Sequence, residues 1–530
     1  MNPRIKNTLS TRHRAMLPTL VLIIFGMVSS AIHPVMATNP ALLPPISLYE
    51  AILPEYQQDI FANTSGQLPV YDITASLTPV DNVSGVGSIN GVTELDYVNF
   101  TDTSQAELFI RLYPNAPIYQ EASLTLDEIT IEGEPVLLTY DHDQTLASVP
   151  LAVPLAPGER KLITLAFTAI IPAERNQSYG MFGFDQESRS YNLAHWQPLI
   201  AGWTPGIGWN TGPLDLRGDP VFSNAALFSV TFTAPSELTF ATTGSALRTA
   251  VSSDLTTYTW ESGPSRDFVM IANPEFLVME GLVGETVVRS FYTASSEPVA
   301  AEVLETSMKS LAYFNEQFGP YPYREFDVAE AYIGPRAAGI EFPGLVYISR
   351  NLYQTGNASL EFTIVHEVAH QWFYAIVGNN QYLHAFLDES LCNYVSILYI
   401  ESQRGSDAAQ ITVDRFLKRS YFAELFSESG DHVVNQPTSA FPSDRAYGRI
   451  VYGKGALGMQ ALRDEMGLDG FIAALRSYFE FHQFGVALPE TLLAEFERIG
   501  GVSVLSTWNN WFESTNGNQD FSPDDLNELR

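Results

Sequence analysis

The chain has 530 residues, more than one hydrophobic core normally serves, so we predict two or three domains. Hydrophobic residues make up 45% of the sequence and charged residues 17%, a globular composition that excludes a largely disordered chain. The formal net charge of -32 predicts a surface that repels phosphate backbones and anionic lipids, which excludes nucleic acid as a partner.

The N-terminus has the three parts of a secretory signal. Four Lys and Arg residues precede an apolar run at 20–25, and Val35-Met36-Ala37 supplies a small-x-small cleavage pattern. We therefore predict a signal peptide over residues 1–37 and an exported protein that is extracellular, at the cell surface or periplasmic. An uncleaved signal would instead be a membrane anchor, but the apolar stretch 17–28 is shorter than the roughly 20 residues that cross a bilayer. Membrane contact is expected only through this segment.

After a lead-in segment at 38–67, residues 68–288 are predicted to form an all-β domain. Short stretches such as 106–112 and 124–131 alternate polar and apolar residues and are rich in β-branched and aromatic side chains. Turn residues such as Pro157-Gly158 separate these stretches. The pattern is typical of strands joined by tight turns.

From residue 289 the periodicity becomes helical, and we predict a helix-rich domain over 289–515 with a tail at 516–530. Leu304, Met308 and Leu311 follow helical spacing, and Gly319-Pro320 ends that segment. Further helices are predicted at about 360–375, 387–403, 455–466 and 488–499, and a strand at 345–348. The fold class is therefore α+β, with an all-β domain followed by a helix-rich domain.

The segment His366-Glu367-Val368-Ala369-His370 lies in one of these predicted helices and has the pattern of a zinc site. Side chains at i and i+4 share a helix face, so both imidazoles can bind one ion while Glu367 lies beside it. Glu389, on the next predicted helix, supplies a third ligand, which leaves a fourth position for water, as in catalytic zinc sites. We predict one Zn²⁺ per chain on His366, His370 and Glu389, with Glu367 as the general base that activates the zinc-bound water.

The spacing of these residues, with eighteen residues between His370 and Glu389, resembles the aminopeptidase N family of gluzincin metallopeptidases. Other segments are also similar to family motifs: Phe318-Gly319-Pro320-Tyr321-Pro322, then Ala338-Gly339-Ile340-Glu341-Phe342 in place of Gly-Ala-Met-Glu-Asn, and Tyr452-Gly453-Lys454-Gly455-Ala456 for Tyr-x-Lys-Gly-Ala. The resemblance covers roughly residues 290–515. It implies a thermolysin-like catalytic domain at 289–515, in a short two-domain form without the helical C-terminal domain of many relatives.

The resemblance also implies roles for residues outside the metal site. Tyr452 would hydrogen-bond the developing oxyanion, while Lys454 is read as a solvated charge at a helix start. Glu341, with Gly339 in the same substrate motif, would pair with the α-ammonium of the substrate and select the chain end. The residues around Glu341 differ from the family motif, whereas the glutamate itself is kept. We expect these differences to alter the preference for the substrate side chain more than the contact with the substrate amine. Relatives complete the amine site with a β-domain side chain, and the candidate stretch here contains Asp185 and Gln186.

Together these residues predict an exported zinc aminopeptidase that acts on peptides. One alternative is an endopeptidase of the same clan, which needs the zinc ligands and Glu367 but not Glu341. A second alternative is a non-enzymatic peptide-binding surface protein that has kept the fold. Loss of activity usually removes the general base or the tyrosine first, and both Glu367 and Tyr452 are present.

Overall fold

The computed structural model describes residues 45–81, 84–119, 121–174, 181–215, 217–334, 337–355, 358–500 and 503–520. The signal peptide predicted at 1–37 lies outside the described residues, as does the 521–530 part of the predicted tail. In the described part of the chain, none of the helices combines the length and the apolar character that crossing a membrane requires.

Strands dominate the first half of the chain and helices the second. The strands are β1 (Val70–Thr78), β2 (Val86–Val98), β3 (Gln105–Arg111), β4 (Ser123–Ile131), β5 (Glu134–Pro135), β6 (Thr139–Asp141), β7 (Leu146–Leu155), β8 (Arg160–Glu174), β9 (Phe182–Asp185), β10 (Ser190–Leu193), β11 (Leu199–Ile200), β12 (Trp203–Thr204), β13 (Gly208–Trp209), β14 (Ala226–Pro235), β15 (Thr239–Thr242), β16 (Ser245–Ser252), β17 (Leu255–Ser265), β18 (Met270–Asn273), β19 (Leu277–Val283), β20 (Thr286–Tyr292), β21 (Glu325–Ala331), β22 (Gly339–Phe342) and β23 (Leu345–Ser349). The α-helices are α1 (Pro54–Thr64), α2 (Glu297–Phe318), α3 (Arg350–Thr355), α4 (Ala358–Ala369), α5 (Gln381–His384), α6 (Glu389–Arg404), α7 (Ser406–Thr412), α8 (Arg419–Leu425), α9 (Asp444–Gly448), α10 (Ala456–Met466), α11 (Leu468–His482), α12 (Pro489–Gly500) and α13 (Leu505–Trp511). Within the helical half, Val413–Lys418 and Arg449–Gly455 are π-helical.

The β-rich half is built on one large sheet. Its strand order is β15-β18-β10-β9-β8-β2-β1-β14-β17-β16, with β4 beside β8 and β5 beside β4. The strands pair antiparallel except β1 with β14 and β8 with β9, which are parallel. In β1 the buried side chains alternate with exposed ones, so one face of the sheet covers the core. The prediction of an N-terminal β-rich region is confirmed.

The helix-rich half contains a smaller sheet that positions the functional residues. Its order is β19-β20-β21-β23-β22, in which β20, β21 and β23 are parallel to one another and β22 is an antiparallel edge strand. Helix α4 lies beside β22 and packs against α2 and α6. The apolar side chains of these helices form one core that includes Phe314, Ile364, Val368 and Leu391. The predicted α+β class, with the helix-rich domain second, is confirmed.

Two predicted helices differ from the observed ones near the motif residues. The helix predicted at 360–375 ends at Ala369, because the chain turns at once and Tyr374 adopts a φ of 142°. The helix predicted at 455–466 is preceded by the π-helix Arg449–Gly455. π-Helical turns are rare and have no periodicity signal of their own, so sequence patterns miss them.

Candidate active site

Three side chains of the ligand type converge from two neighbouring helices. His366 lies in α4, His370 follows the last residue of α4, and Glu389 begins α6. His366 Nε2 lies 3.0 Å from His370 Nε2 and 3.1 Å from Glu389 Oε2, and His370 Nε2 lies 3.4 Å from the same carboxylate oxygen. All three residues are buried. The structure thus brings together the three residues that the sequence predicts as metal ligands.

The chemistry of this donor set fits zinc. Two imidazole nitrogens and one carboxylate oxygen within 4.8 Å of one another match the three-ligand sets of catalytic zinc. His370 Nδ1 lies 3.1 Å from the carbonyl oxygen of Phe373, so this nitrogen donates there and Nε2 keeps its lone pair for a metal. Burial lowers the pKa of His366, which favours the neutral ring that binds metals.

Glu389 is held in place by the start of its own helix. Asp388 Oδ1 caps α6 by accepting a hydrogen bond of 2.8 Å from the Glu389 backbone nitrogen. Burial by itself would raise the pKa of Glu389, but its close contacts with His366 and His370 outweigh burial and bring the pKa well below its usual range. The group is therefore an anion, as a metal ligand must be.

Glu367 points into the same cleft and lies against the edge strand β22. A Cβ on Gly339 would come within 2.2 Å of Glu367 Oε1, so only glycine leaves room for this carboxyl group. Among the described residues, the buried Oε2 of Glu367 has no hydrogen-bond partner. Burial raises the pKa of Glu367, and the charges of Glu389 and Asp219 raise it further. Its position beside the ligand cluster and its available oxygen suit this carboxyl group to accept a proton.

Tyr452 reaches the ligand cluster from the π-helix Arg449–Gly455. Its hydroxyl donates a hydrogen bond to Glu389 Oε1, and its ring centroid lies 5.9 Å from that of His366. Helix α6 supports the π-helix through Ser390 Oγ, which donates to the Val451 carbonyl at 2.6 Å, and Asn393 Nδ2, which donates to the Tyr452 carbonyl at 2.8 Å. The same helix therefore positions both Glu389 and Tyr452.

Lys454 is fully buried, so its reading as a solvated charge is wrong. Its ammonium group donates to Asp431 Oδ2 at 3.0 Å, to the His432 carbonyl at 2.8 Å and to the Ser514 carbonyl at 2.7 Å. These contacts use all three ammonium donors and offset the cost of burying the charge. They tie the segment that carries Tyr452 to two distant parts of the chain, which spacing along the sequence does not reveal.

Glu341 lies on β22 with its carboxylate in the cleft, and the structure brings an unpredicted β-domain residue to it. One carboxylate oxygen each of Glu341, Asp219 and Glu389 lies within 4.8 Å of the others. Asp219 lies in a loop after β13. The sequence did not indicate it, because a single acidic residue in a turn has no distinguishing pattern.

The two candidates named from the sequence for the amine site, Asp185 and Gln186, do not line the cleft. Asp185 accepts a 2.7 Å hydrogen bond from the Ser188 backbone nitrogen, and Gln186 is exposed.

The cleft has a volume of about 550 Å³ and lies between the two halves of the protein. The β-rich half contributes Ile118, Arg217 and Asp219 to its walls. Arg217 Nη1 also donates to the Thr438 and Phe441 carbonyls of the helix-rich half, at 2.8 and 3.0 Å. Space of this size suits a ligand of a few residues, held by a small number of polar groups.

Comparison with known proteins identifies the part of the chain that contains this cluster. Residues 302–511 match the Peptidase family M1 domain. Aminopeptidase M1-C of Oryza sativa subsp. japonica is 28% identical over 309 residues, which are 55% of this chain and 34% of that protein. Tricorn protease-interacting factor F2 of Thermoplasma acidophilum is 25% identical over 231 residues, 40% of this chain and 28% of that protein. The chain thus spans about a third of the length of these relatives.

Solved structures share the fold over both halves of the chain. The M1 zinc metallopeptidase from Deinococcus radiodurans has a TM-score of 0.59 at 20% identity, and the match covers 86% of this chain and 95% of that one. A mutant of that protein, bound to a Tyr-ser-ala substrate, has a TM-score of 0.58 at 19% identity with the same coverage. Residues 302–511 therefore form a peptidase family M1 domain, as the resemblance of residues 290–515 to the aminopeptidase N family predicted.

Proposed function

We propose that this chain is an exported zinc aminopeptidase that removes the first residue from peptides. The observation that carries the proposal is the position of Glu341, whose buried carboxylate lies in the same cleft as the ligand cluster. A peptide whose α-ammonium pairs with Glu341 has its first peptide bond close to that cluster. Export rests on the signal peptide predicted at residues 1–37.

His366, His370 and Glu389 would hold the zinc. When bound there, the ion supplies a Lewis acid that acidifies water and polarises a peptide carbonyl. Glu367, beside the ligands, takes the proton from the attacking water and then delivers it to the nitrogen of the leaving peptide. The hydroxyl of Tyr452, already at the cluster through Glu389, donates a hydrogen bond to the oxygen of the attacked carbonyl.

Glu341 and Asp219 would bind the substrate amine. Burial raises the pKa of Glu341, and the negative charges of Asp219, Glu389 and Glu367 raise it further. An α-ammonium bound here pairs with the carboxylates of both Glu341 and Asp219 and reduces the repulsion between them. A peptide with a blocked N-terminus offers no such charge, which would make the enzyme specific for free chain ends. The Tyr-ser-ala substrate bound to the mutant Deinococcus protein supports a peptide as the substrate class.

A paired digest tests the proposed activity. One peptide is supplied in free and in N-acetylated form to the zinc-loaded full chain, and the products are read by mass. Stepwise loss of residues from the free form alone is the expected result. Internal cleavage of both forms would contradict it and favour an endopeptidase of the same clan. The absence of any cleavage would favour a peptide-binding protein.

Replacing Glu341 with alanine should lower kcat/KM for free peptides by about 2 to 3 kcal/mol, the range for a hydrogen bond to a charged group. The physical reason is the loss of the carboxylate that pairs with the α-ammonium. N-acetylated peptides lack this contact, so their slow hydrolysis should hardly change. Steady-state kinetics on both substrate forms, together with the zinc content of the variant, provides the measurement. Equal losses on the two forms, or none on either, would remove Glu341 from the amine site.

Replacing Tyr452 with phenylalanine should lower kcat by roughly 10² to 10³, the usual effect of losing one oxyanion donor. The ring and its contact with His366 remain, so zinc content should stay normal and KM should change less than kcat. Tyr447 provides a matched control, because it also lines the cleft and its ring centroid lies 6.0 Å from that of Tyr452. We expect Tyr447→Phe to lower kcat much less. A loss of only about twofold in Tyr452→Phe would make its hydroxyl structural.

A further inference from the structure

Tyr374 occupies a backbone conformation that normally favours glycine. Its φ is 142°, and it is buried at 6% exposure. Side chains other than hydrogen are strained there, because the Cβ atom approaches the neighbouring backbone. Such strain persists only where the surrounding structure holds it, and it is concentrated at functional sites. The residue follows the metal-ligand helix by five positions, which places the strain beside the proposed active site.

A buried arginine from the β-rich half holds this turn. Arg266 Nε donates to the Tyr374 carbonyl at 2.7 Å, and Nη2 donates to the carbonyls of Ile376 and Gly485 at 3.1 and 2.6 Å. Gly378 leaves the space for the guanidinium group, since a Cβ there would lie 2.1 Å from Arg266 Cζ. The Tyr374 backbone nitrogen adds a 2.9 Å hydrogen bond to the Val377 carbonyl. These contacts fix the backbone of the turn at Tyr374.

The Tyr374 ring forms one wall of a small cavity that adjoins the main cleft. Its centroid lies 6.3 Å from the ring of His370 at an interplanar angle of 86°. The cavity shares Glu341 and Asp219 with the cleft and is otherwise lined by Met181, His195, Pro220, Val221, Ile340, Phe342 and Tyr374. Its volume is about 10 Å³, space for about one water molecule.

His195 gives the cavity one polar wall. Its Nδ1 donates to Asp267 Oδ2 at 2.5 Å, and Nε2 is buried with no hydrogen-bond partner among the residues that the structure describes. A buried ring nitrogen without a partner is costly unless a water or a ligand group binds it. His195 thus adds polarity to a cavity that Glu341 and Asp219 also line, and the size of the cavity suits a small side chain, either apolar or with a hydroxyl.

We infer that this cavity receives the side chain of the first substrate residue, and that Tyr374 restricts that residue to glycine, alanine or serine. The inference rests on the proposed aminopeptidase function. The side chain leaves the same carbon as the α-ammonium, so a residue held at Glu341 has its side chain next to the adjoining cavity. The cavity has space for about one small group, so a methyl or hydroxymethyl side chain is close to the size that it can hold. Leucine or phenylalanine would need Tyr374 to move, and the contacts of Arg266 oppose that movement.

The test is a series of aminoacyl anilides, with alanine, serine, leucine and phenylalanine as the acyl residue. Wild-type enzyme should prefer alanine and serine to leucine and phenylalanine by at least about tenfold in kcat/KM. Tyr374→Gly suits the observed φ and removes the ring, so the ratio of leucine to alanine hydrolysis should rise by about tenfold or more. Tyr374→Phe keeps the ring and should leave that ratio within about threefold of the wild-type value.

A second variant covers the case in which Tyr374→Gly does not fold. Ile340→Ala enlarges the same cavity from β22 and should shift the ratio in the same direction. Normal zinc content and thermal unfolding are required of each variant before its ratio is used. If wild-type enzyme cleaves the alanine substrate but neither variant shifts the ratio, the subsite assignment is overturned while the aminopeptidase stands. If wild-type enzyme cleaves none of the four substrates, the proposed function itself fails.

Discussion

Purified Glu389→Ala protein is expected to lose most of its zinc, while the wild-type chain contains about one zinc per molecule. The substitution removes one of the three proposed ligands and leaves the rings of His366 and His370 without the carboxylate that both contact. Loss of an outer-sphere partner alone commonly weakens metal binding by roughly 10- to 100-fold, so loss of a ligand should exceed that range. Metal analysis after dialysis against a weak chelator measures the effect.

Glu401 provides the matched control for this variant. It lies on the same helix α6 as Glu389 but pairs with Arg463, at 3.2 Å, and is partly exposed. Glu401→Ala should therefore retain full zinc content and activity. Full zinc occupancy in Glu389→Ala would show that the carboxylate is not a ligand, whatever the activity of the variant.

The second large effect is expected from Glu367→Gln, which should retain zinc and lower kcat by roughly 10² to 10⁴, the usual contribution of a general base. The amide has nearly the same shape as the carboxylate and still fits against Gly339, so the cleft should be unchanged. It cannot accept the proton of the attacking water. Zinc content and steady-state kinetics measured on one preparation separate this effect from metal loss.

Glu361 is the control on the same helix α4 as Glu367. It pairs with Arg404 at 2.7 Å on the outer side of the domain and does not line the cleft. Glu361→Gln should keep wild-type kcat. Near-normal turnover in Glu367→Gln would mean that another group takes the proton, and the assignment of Glu367 as the base would have to be abandoned.

The parts of the site that the sequence predicts are those that depend on local geometry. Residues four apart on a helix lie on the same face whatever surrounds them, so the pair His366 and His370 could be expected to converge from spacing alone. Glu389 was predicted because it also lies on a helix and has a ligand side chain at the spacing that the family uses. Likewise, the alternation of polar and apolar residues in the first half and their helical periodicity in the second half predicted that a β-rich half precedes a helix-rich half. Both patterns depend only on which side chains a single strand or helix buries.

Long-range packing decided the rest. Asp219 comes close to Glu341 only because the β-rich half folds against the helix-rich half, and nothing near Asp219 in the sequence marks it. Lys454 is buried because acceptors from two distant segments, at Asp431 and Ser514, meet at its ammonium group. Tyr374 takes a strained conformation because Arg266, more than a hundred residues earlier, binds its carbonyl. The sequence by itself thus determined the chemistry of the cluster of His366, His370 and Glu389, which is local, whereas the shape and polarity of the surrounding cleft depend on contacts that exist only in the folded chain.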